Sequence, residues 1–263
     1  MGIFKNKSTR ALVIILSALV VISILISRQY YKGINKTVDP RIKQARLLYE
    51  KYNDYAKTSR FDSILMLMDS IETIYSKYPH YRNSYEIGVL YNNRAASYLT
   101  MALHMNDSID AGEVRKDSLF SIAEKMVHKS IAVYTAWLER FEDKNGEEIR
   151  EDIETNFLNG LDPYSQEAEE ALINKRIEEI QEAQFETKRR LSVSYTNLGI
   201  IERQRMKYEE AAKHYKKALE LWEQNLTAKN NLNLLLGRPL EKRNFIQKLF
   251  PADREKTEQT SGN

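Results

Sequence analysis

Histidine is the side chain best suited to moving a proton or holding a metal near neutral pH, and this chain carries His80, His104, His128 and His214. They are scattered, and none stands in the H-E-x-x-H spacing that puts two imidazoles on one helical face around zinc. His128 and His214 fall inside stretches with helical periodicity, where a solvated or packed ring is the ordinary role. Glu147, Glu148, Glu151, Asp152 and Glu154 gather enough carboxylate for a calcium ion, yet the alternating ligands and turn glycine of a calcium loop are missing. Such a like-charged run on a short helix reads as a solvated face. Cysteine is absent, which removes thiol catalysis, thiolate metal sites and disulfides together. The chain has only 9 glycines in 263 residues, and none builds a G-x-S-x-G turn, a Walker loop or a G-x-G-x-x-G cradle. These residues predict no catalytic group, no metal and no cofactor.

The elements behind them are helices. Few turns are possible with 9 Gly and 5 Pro, while Leu, Ile, Ala, Glu, Lys and Arg are plentiful. Lys and Arg number 40 against 37 Asp and Glu, a net charge of +3 with the signs interleaved. A nucleic-acid partner would call for a clustered basic face, so none is expected.

Residues 11–27 are uncharged and apolar apart from Ser17, Ser23 and Ser27. As a helix they span roughly 25 Å, at the short end for crossing a bilayer. Tyr30 and Tyr31 follow, and Lys5, Lys7, Arg10, Arg28 and Lys32 bracket the run, as flanks of a span do. A cleaved signal peptide is the competing reading. No A-x-A-like site follows, however, and the run is longer than a usual signal core. The expectation is a basic tail at 1–10, an uncleaved single-pass anchor at 11–27 and a juxtamembrane linker at 28–40. Cations on the two sides are nearly even in number. The basic tail ahead of the run favours delivery of the remainder to the extracytoplasmic side of a cell membrane.

Beyond the linker, apolar residues recur at helical spacing. Ala45, Leu48, Tyr52 and Tyr55 mark one helix; Phe61, Ile64, Met68, Ile71 and Tyr75 mark the next, which Pro79 ends. Tyr91, Asn93, Ala95 and Tyr98 precede a helix through Phe120, Ala123, Val127, Ser130, Ile131 and Tyr134. The periodicity continues past Trp137 and Phe141, a short acidic helix covers 147–158, and a long helix runs from Ser165 to about Arg205. The clearest pattern lies at Ser192–Trp222. There Tyr195, Leu198 and Gly199 share one face, and Tyr208, Ala211, Tyr215, Ala218 and Leu219 share another. Small residues at 199, 211 and 218 let two antiparallel helices approach closely.

This aromatic-x-x-Leu-Gly helix followed by Ala-x-x-x-aromatic-x-x-Ala resembles a tetratricopeptide repeat. Glu202 stands where that family usually has an aromatic residue, and Glu223 where a Pro commonly ends the unit. The resemblance implies an all-α solenoid of antiparallel helix pairs over 41–250, with its clearest repeat at 192–225, degenerate repeats at 41–78 and 85–142, and a tail at 251–263. In the degenerate 85–142 unit, Ala95 pairs in pattern with Gly199 and Val127 with Tyr215. The first helices of such units line a groove for a protein or peptide partner. Asn93, Asn197 and Asn231 fall at equivalent places, and the resemblance implies a ladder of amides able to bind a peptide backbone. Asn is also common there without a ligand, where it bonds neighbouring helices. Arg94, Arg203 and Lys229 add cations for an acidic partner. The expected function is a non-catalytic, membrane-tethered adaptor. The alternative is a structural subunit of a membrane assembly that packs through its long helices.

Overall fold

The structure, a computed structural model, describes residues 38–105, 110–161 and 165–242. The basic tail at 1–10, the anchor at 11–27, most of the linker at 28–40 and the tail at 251–263 expected from the sequence lie outside them. Among the described residues no helix is long and apolar enough to cross a membrane, and the secondary structure is helical throughout. In chain order the helices are α1 (Lys43–Lys57), α2 (Phe61–Ser76), α3 (Pro79–Arg82), α4 (Tyr85–His104) and α5 (Asp110–Phe141). They continue with α6 (Gly146–Phe157), α7 (Gln166–Gln204), α8 (Tyr208–Leu221) and α9 (Leu226–Leu235).

Three antiparallel pairs stack in series: α1 with α2, α4 with α5, and α7 with α8, with α9 laid on the last. The first and last pairs close with one and the same turn. The Arg60 amide donates to the Tyr55 carbonyl at 3.0 Å, and the Lys207 amide to the Glu202 carbonyl at 2.9 Å. Between them Ser59 and Met206 take left-handed backbone, φ 54° and 61°. This bond across six residues, with a left-handed residue inside it, is the Schellman arrangement that satisfies carbonyls orphaned at a helix end. Gly237 does the same after α9, at φ 63°, with the Arg238 amide donating to Asn233 at 2.8 Å. Glycine fits there without strain; a methionine does not. Met206 is 76% exposed, so little packing is lost by trimming it. Met206→Gly is therefore expected to stabilise the fold by about 0.5–1 kcal/mol, read as a higher urea midpoint by circular dichroism. A lower midpoint would contradict the strain argument.

The α7–α8 pair is built on close approach. A Cβ placed on Gly199 would overlap the Tyr215 ring, lying 2.6 Å from Cδ1, and Tyr215 is fully buried. The α4–α5 pair repeats the device at Gly88, whose added Cβ would meet Cδ1 of Tyr134 at the same 2.6 Å. This corrects the pattern match of Ala95 with Gly199. The equivalent of the Gly199–Tyr215 contact is Gly88–Tyr134, and Ala95 and Val127 pack one heptad nearer the connection. Seven residues are almost two helical turns, so a slip of one heptad leaves every apolar residue on the same face.

Pro79 opens α3 at its first position rather than only ending α2, where its missing N–H is no loss. The acidic run folds as α6, capped by Asn145: its side chain accepts from the amides of Glu147 and Glu148, and Glu148 accepts from the Asn145 amide. That reciprocal capping box gives Glu148 a structural task. Ser165 likewise caps α7 through the Ala168 amide at 3.3 Å. No proline ends the 192–225 unit. Asn225 caps α9 through the Ala228 amide at 3.0 Å, while its Nδ2 donates to Ser192 Oγ at 2.8 Å and Thr196 Oγ1 at 2.9 Å. Glu202, in the aromatic position, is a buried carboxylate 3.3 Å from Lys207.

Candidate functional site

Two of the three asparagines expected in the amide ladder bond neighbouring helices. Asn93 is 8% exposed and its Nδ2 donates to Tyr49 Oη of α1 at 2.6 Å. Asn197, equally buried, donates to Asn92 Oδ1 of α4 at 3.3 Å. Ser194 donates to the same oxygen at 3.0 Å and lies 2.7 Å from Ser130 Oγ. Asn231 donates to the Thr227 carbonyl of its own helix at 2.9 Å. Arg94 turns to α2, where it meets Glu72 and Asp69 at 2.8 Å each. Arg203 is half-buried on α7, and Lys229 pairs with Glu241 at 2.9 Å. The bonds of Asn93, Asn197, Asn231, Arg94 and Lys229 run to separate partners.

A different set does converge, because α7 is far longer than its partner α8. Its carboxyl-terminal turns make the pair with α8. Its amino-terminal half runs on past that pair and buries Leu172, Ile173, Ile177 and Ile180 in the core shared by the first helices. Arg176 of this half is 4% exposed and reaches Glu86 of α4 at 2.6 Å and Glu179 at 3.2 Å. Its Nε donates to His80 Nε2 at 3.1 Å, and its guanidinium stacks 4.9 Å from the centre of Tyr81. On the other face of the cluster Asp39 and Arg41 form a buried pair at 2.6 Å. Arg41 donates onward to the carbonyls of Phe157 at 2.6 Å and Asn159 at 2.8 Å, and Tyr81 Oη donates to Asp39 at 2.8 Å. Two buried arginines thereby bolt α3, α4, α6 and α7 to the segment leading into α1.

Their fields set the titration of the neighbours. Burial and then the charge of Arg176 drive His80 down to about 3, so its ring is neutral and accepts the Arg176 hydrogen bond. Burial alone would raise Glu86, but the Arg176 charge and hydrogen bond outweigh it and hold the carboxyl near 2. A histidine with a lowered folded pKa binds its proton in the unfolded chain first. Its stabilising contribution is full above pH 6.5 and is lost as pH falls toward 3. Between pH 6.5 and 5 the carboxylates are still ionised in both states, so His80 dominates that window. About 1–2 kcal/mol of stability should disappear across it, with a smaller share from His214, whose pKa burial also lowers. His80→Gln, which keeps an acceptor for Arg176, should flatten most of that slope in urea titrations. An unchanged slope would acquit His80.

Above this cluster a cleft of about 490 Å³ opens between α1 and the middle of α7. Its floor is Ile71 and Tyr75 of α2, Tyr85, Val89 and Leu90 of α4 and Ala183 of α7, with the Glu86 carboxylate held by Arg176 beside them. Arg46, Tyr49 and Glu50 form the α1 wall; Glu179, Glu182, Glu186 and Arg190 form the α7 wall. Arg46 bridges the two walls by an ion pair with Glu179 at 2.5 Å. Burial, opposed by Arg190, pushes the Tyr85 hydroxyl up to about 12, so it stays a neutral donor. An apolar floor under polar walls suits binding of an apolar side chain with oriented polar groups. It holds no paired acid and base at reacting distance, and no group of His, Asp or Glu among the described residues could hold a metal.

The cleft escaped the sequence reading because its walls come from helices more than a hundred residues apart. One signal was available: Glu179, Glu182, Glu186 and Arg190 form a polar stripe on α7 beside the apolar stripe of Ile173, Ile177 and Ile180.

Compared with known proteins, residues 192–225 match the family model described as tetratricopeptide repeat. No curated protein and no solved structure matches the chain. The matched stretch coincides with the end of α7, its close-approach turn and α8, up to the Asn225 cap. That repeat supports a protein of the tetratricopeptide-repeat family, whose units typically serve as non-catalytic modules for binding other proteins.

Proposed function

We propose that this chain is a non-catalytic adaptor that docks a protein partner in the α1–α7 cleft and is held at a cell membrane by residues 11–27, with the helical domain on the extracytoplasmic side. The observation that carries docking is the cleft itself, with an apolar floor between two polar walls. The long helices favoured by the structural-subunit alternative are largely consumed within the chain: α7 buries Leu172, Ile177, Leu191, Leu198 and Ile201 along its whole length. The apolar composition of 11–27 and its basic flanks support the anchor. Tethering raises the effective concentration of any partner at the same bilayer.

In cells expressing the full chain, cross-linking should recover a partner, and Val89→Phe, which pushes a ring into the cleft, should cut that recovery about tenfold. The helical circular dichroism of the variant should match the parent. Unchanged recovery would remove the cleft from the proposal. Deleting residues 1–27 should move the protein from the membrane pellet to the supernatant with its helical signal kept. Persistence in the pellet, or loss of that signal, would count against the anchor.

A further inference from the structure

The charges around the cleft are not balanced. Arg46 is taken by Glu179 at 2.5 Å. Arg190 lies 3.8 Å from Glu186, which also pairs with Arg189, and Glu86 at the floor is held by Arg176. Five glutamates, Glu50, Glu86, Glu179, Glu182 and Glu186, line the cleft against two arginines, Arg46 and Arg190. Glu50 on one wall and Glu182 on the other are exposed and face the cleft. The spare charge is negative on both sides of an apolar floor. An acidic segment entering here would meet the carboxylates of Glu50 and Glu182 and would have to draw Arg46 away from Glu179.

We infer that the cleft takes a basic peptide segment, with a bulky apolar side chain seated on Ile71, Val89 and Leu90 and lysine or arginine groups meeting Glu50 and Glu182. This rests on the adaptor reading and adds the chemistry of the partner to it. The seated side chain supplies the affinity by leaving water. The exposed carboxylates add selectivity and speed of encounter, because pairs at a wetted rim are individually weak and screened by salt. Binding should therefore weaken as salt is raised without vanishing.

The test uses the full chain in detergent micelles and two fluorescent, amidated peptides. In one, lysines flank a Leu-Phe pair; in the other, glutamates replace the lysines. Anisotropy titration should show the lysine peptide bound and its twin unbound. Glu50→Lys with Glu182→Lys, both on exposed positions that leave the core intact, should raise the lysine peptide's Kd about tenfold. Glu139→Lys with Glu151→Lys, the same change in net charge on the surface of α5 and α6, should leave it unchanged. Equal weakening by both pairs would reduce the effect to net charge and overturn the proposal, as would failure of both peptides to bind.

If the glutamate twin binds instead, and Val89→Phe abolishes that binding, the cleft stands as a docking site and the assignment of charge falls. If the lysine peptide binds and Val89→Phe leaves it bound, the cleft is not the docking site and both readings fall. Removal of residues 243–263, which include Arg243 and Lys248, should not change affinity. A gain of about tenfold would give the cleft to the chain's own carboxyl end and overturn assignment to a partner.

Discussion

Replacing Arg176 by leucine is expected to destabilise the fold by about 3–5 kcal/mol, the range for removing one partner from a buried ion pair. The arginine is 4% exposed and serves Glu86, Glu179 and His80 at once. Without it Glu86 loses the charge that holds its carboxyl near 2, and His80 Nε2 loses its donor. Leucine fills part of the space but answers none of these groups. Much of the loss is therefore the penalty on what is left behind, and Arg176→Leu combined with Glu86→Gln should recover about half of it. Urea unfolding of the single and double variants reads both figures. A single-variant loss below about 1 kcal/mol would mean that water already services the cluster.

The second large effect belongs to the two glycines under tyrosine rings. Gly199→Ala places a methyl 2.6 Å from Cδ1 of Tyr215, and Gly88→Ala does the same against Tyr134. Neither ring has room to retreat, since both tyrosines are fully buried. Overpacking of this kind destabilises by about 1–3 kcal/mol, and here the overlap with an immobile ring puts it at the upper end. Alanine regains up to about 1 kcal/mol of helix propensity, so each variant should lose about 2 kcal/mol net. Gly146→Ala is the control. Its nearest neighbour is the flexible end of Gln181 at 3.3 Å, and it should stay within about 0.5 kcal/mol of the parent. Trimming the ring should rescue the clash: Gly199→Ala with Tyr215→Leu should be less damaging than the sum of the two singles by more than about 1 kcal/mol. Strict additivity would mean that the two residues do not press on one another.

Gly199 was legible in the sequence because Tyr195 and Leu198 before it and Ala211, Tyr215 and Ala218 after it complete most of a repeat pattern. Gly88 was not, although it makes the same contact. Its pair is long, so Tyr91 and Ala95 offered an equally apolar alternative two turns away, and periodicity has no means of choosing between faces that coincide. The helix starts were legible where a side chain caps them, as Asn145 and Ser165 do. The left-handed Ser59 and Met206 were not, since neither residue type announces that conformation. Arg41 and Arg176 were invisible for a related reason. In a helical pattern an arginine is assigned to the wetted side, and only contacts across the chain, with Phe157 for one and His80 for the other, bring them inside. The α1–α7 cleft shares that origin, because its second wall is the middle of the overlong α7.

The buried clasp of Asp39 and Arg41 has a mechanical consequence. A pull arriving from the amino-terminal side enters the fold at these two residues, whose hydrogen bonds run to the carbonyls of Phe157 and Asn159 and to the hydroxyl of Tyr81. Load is thus delivered to the end of α6 and the middle of the stack, and α1 is spared from being peeled away turn by turn. Several bonds stretched together resist more than the same bonds opened one after another, so the point of entry behaves as a rivet.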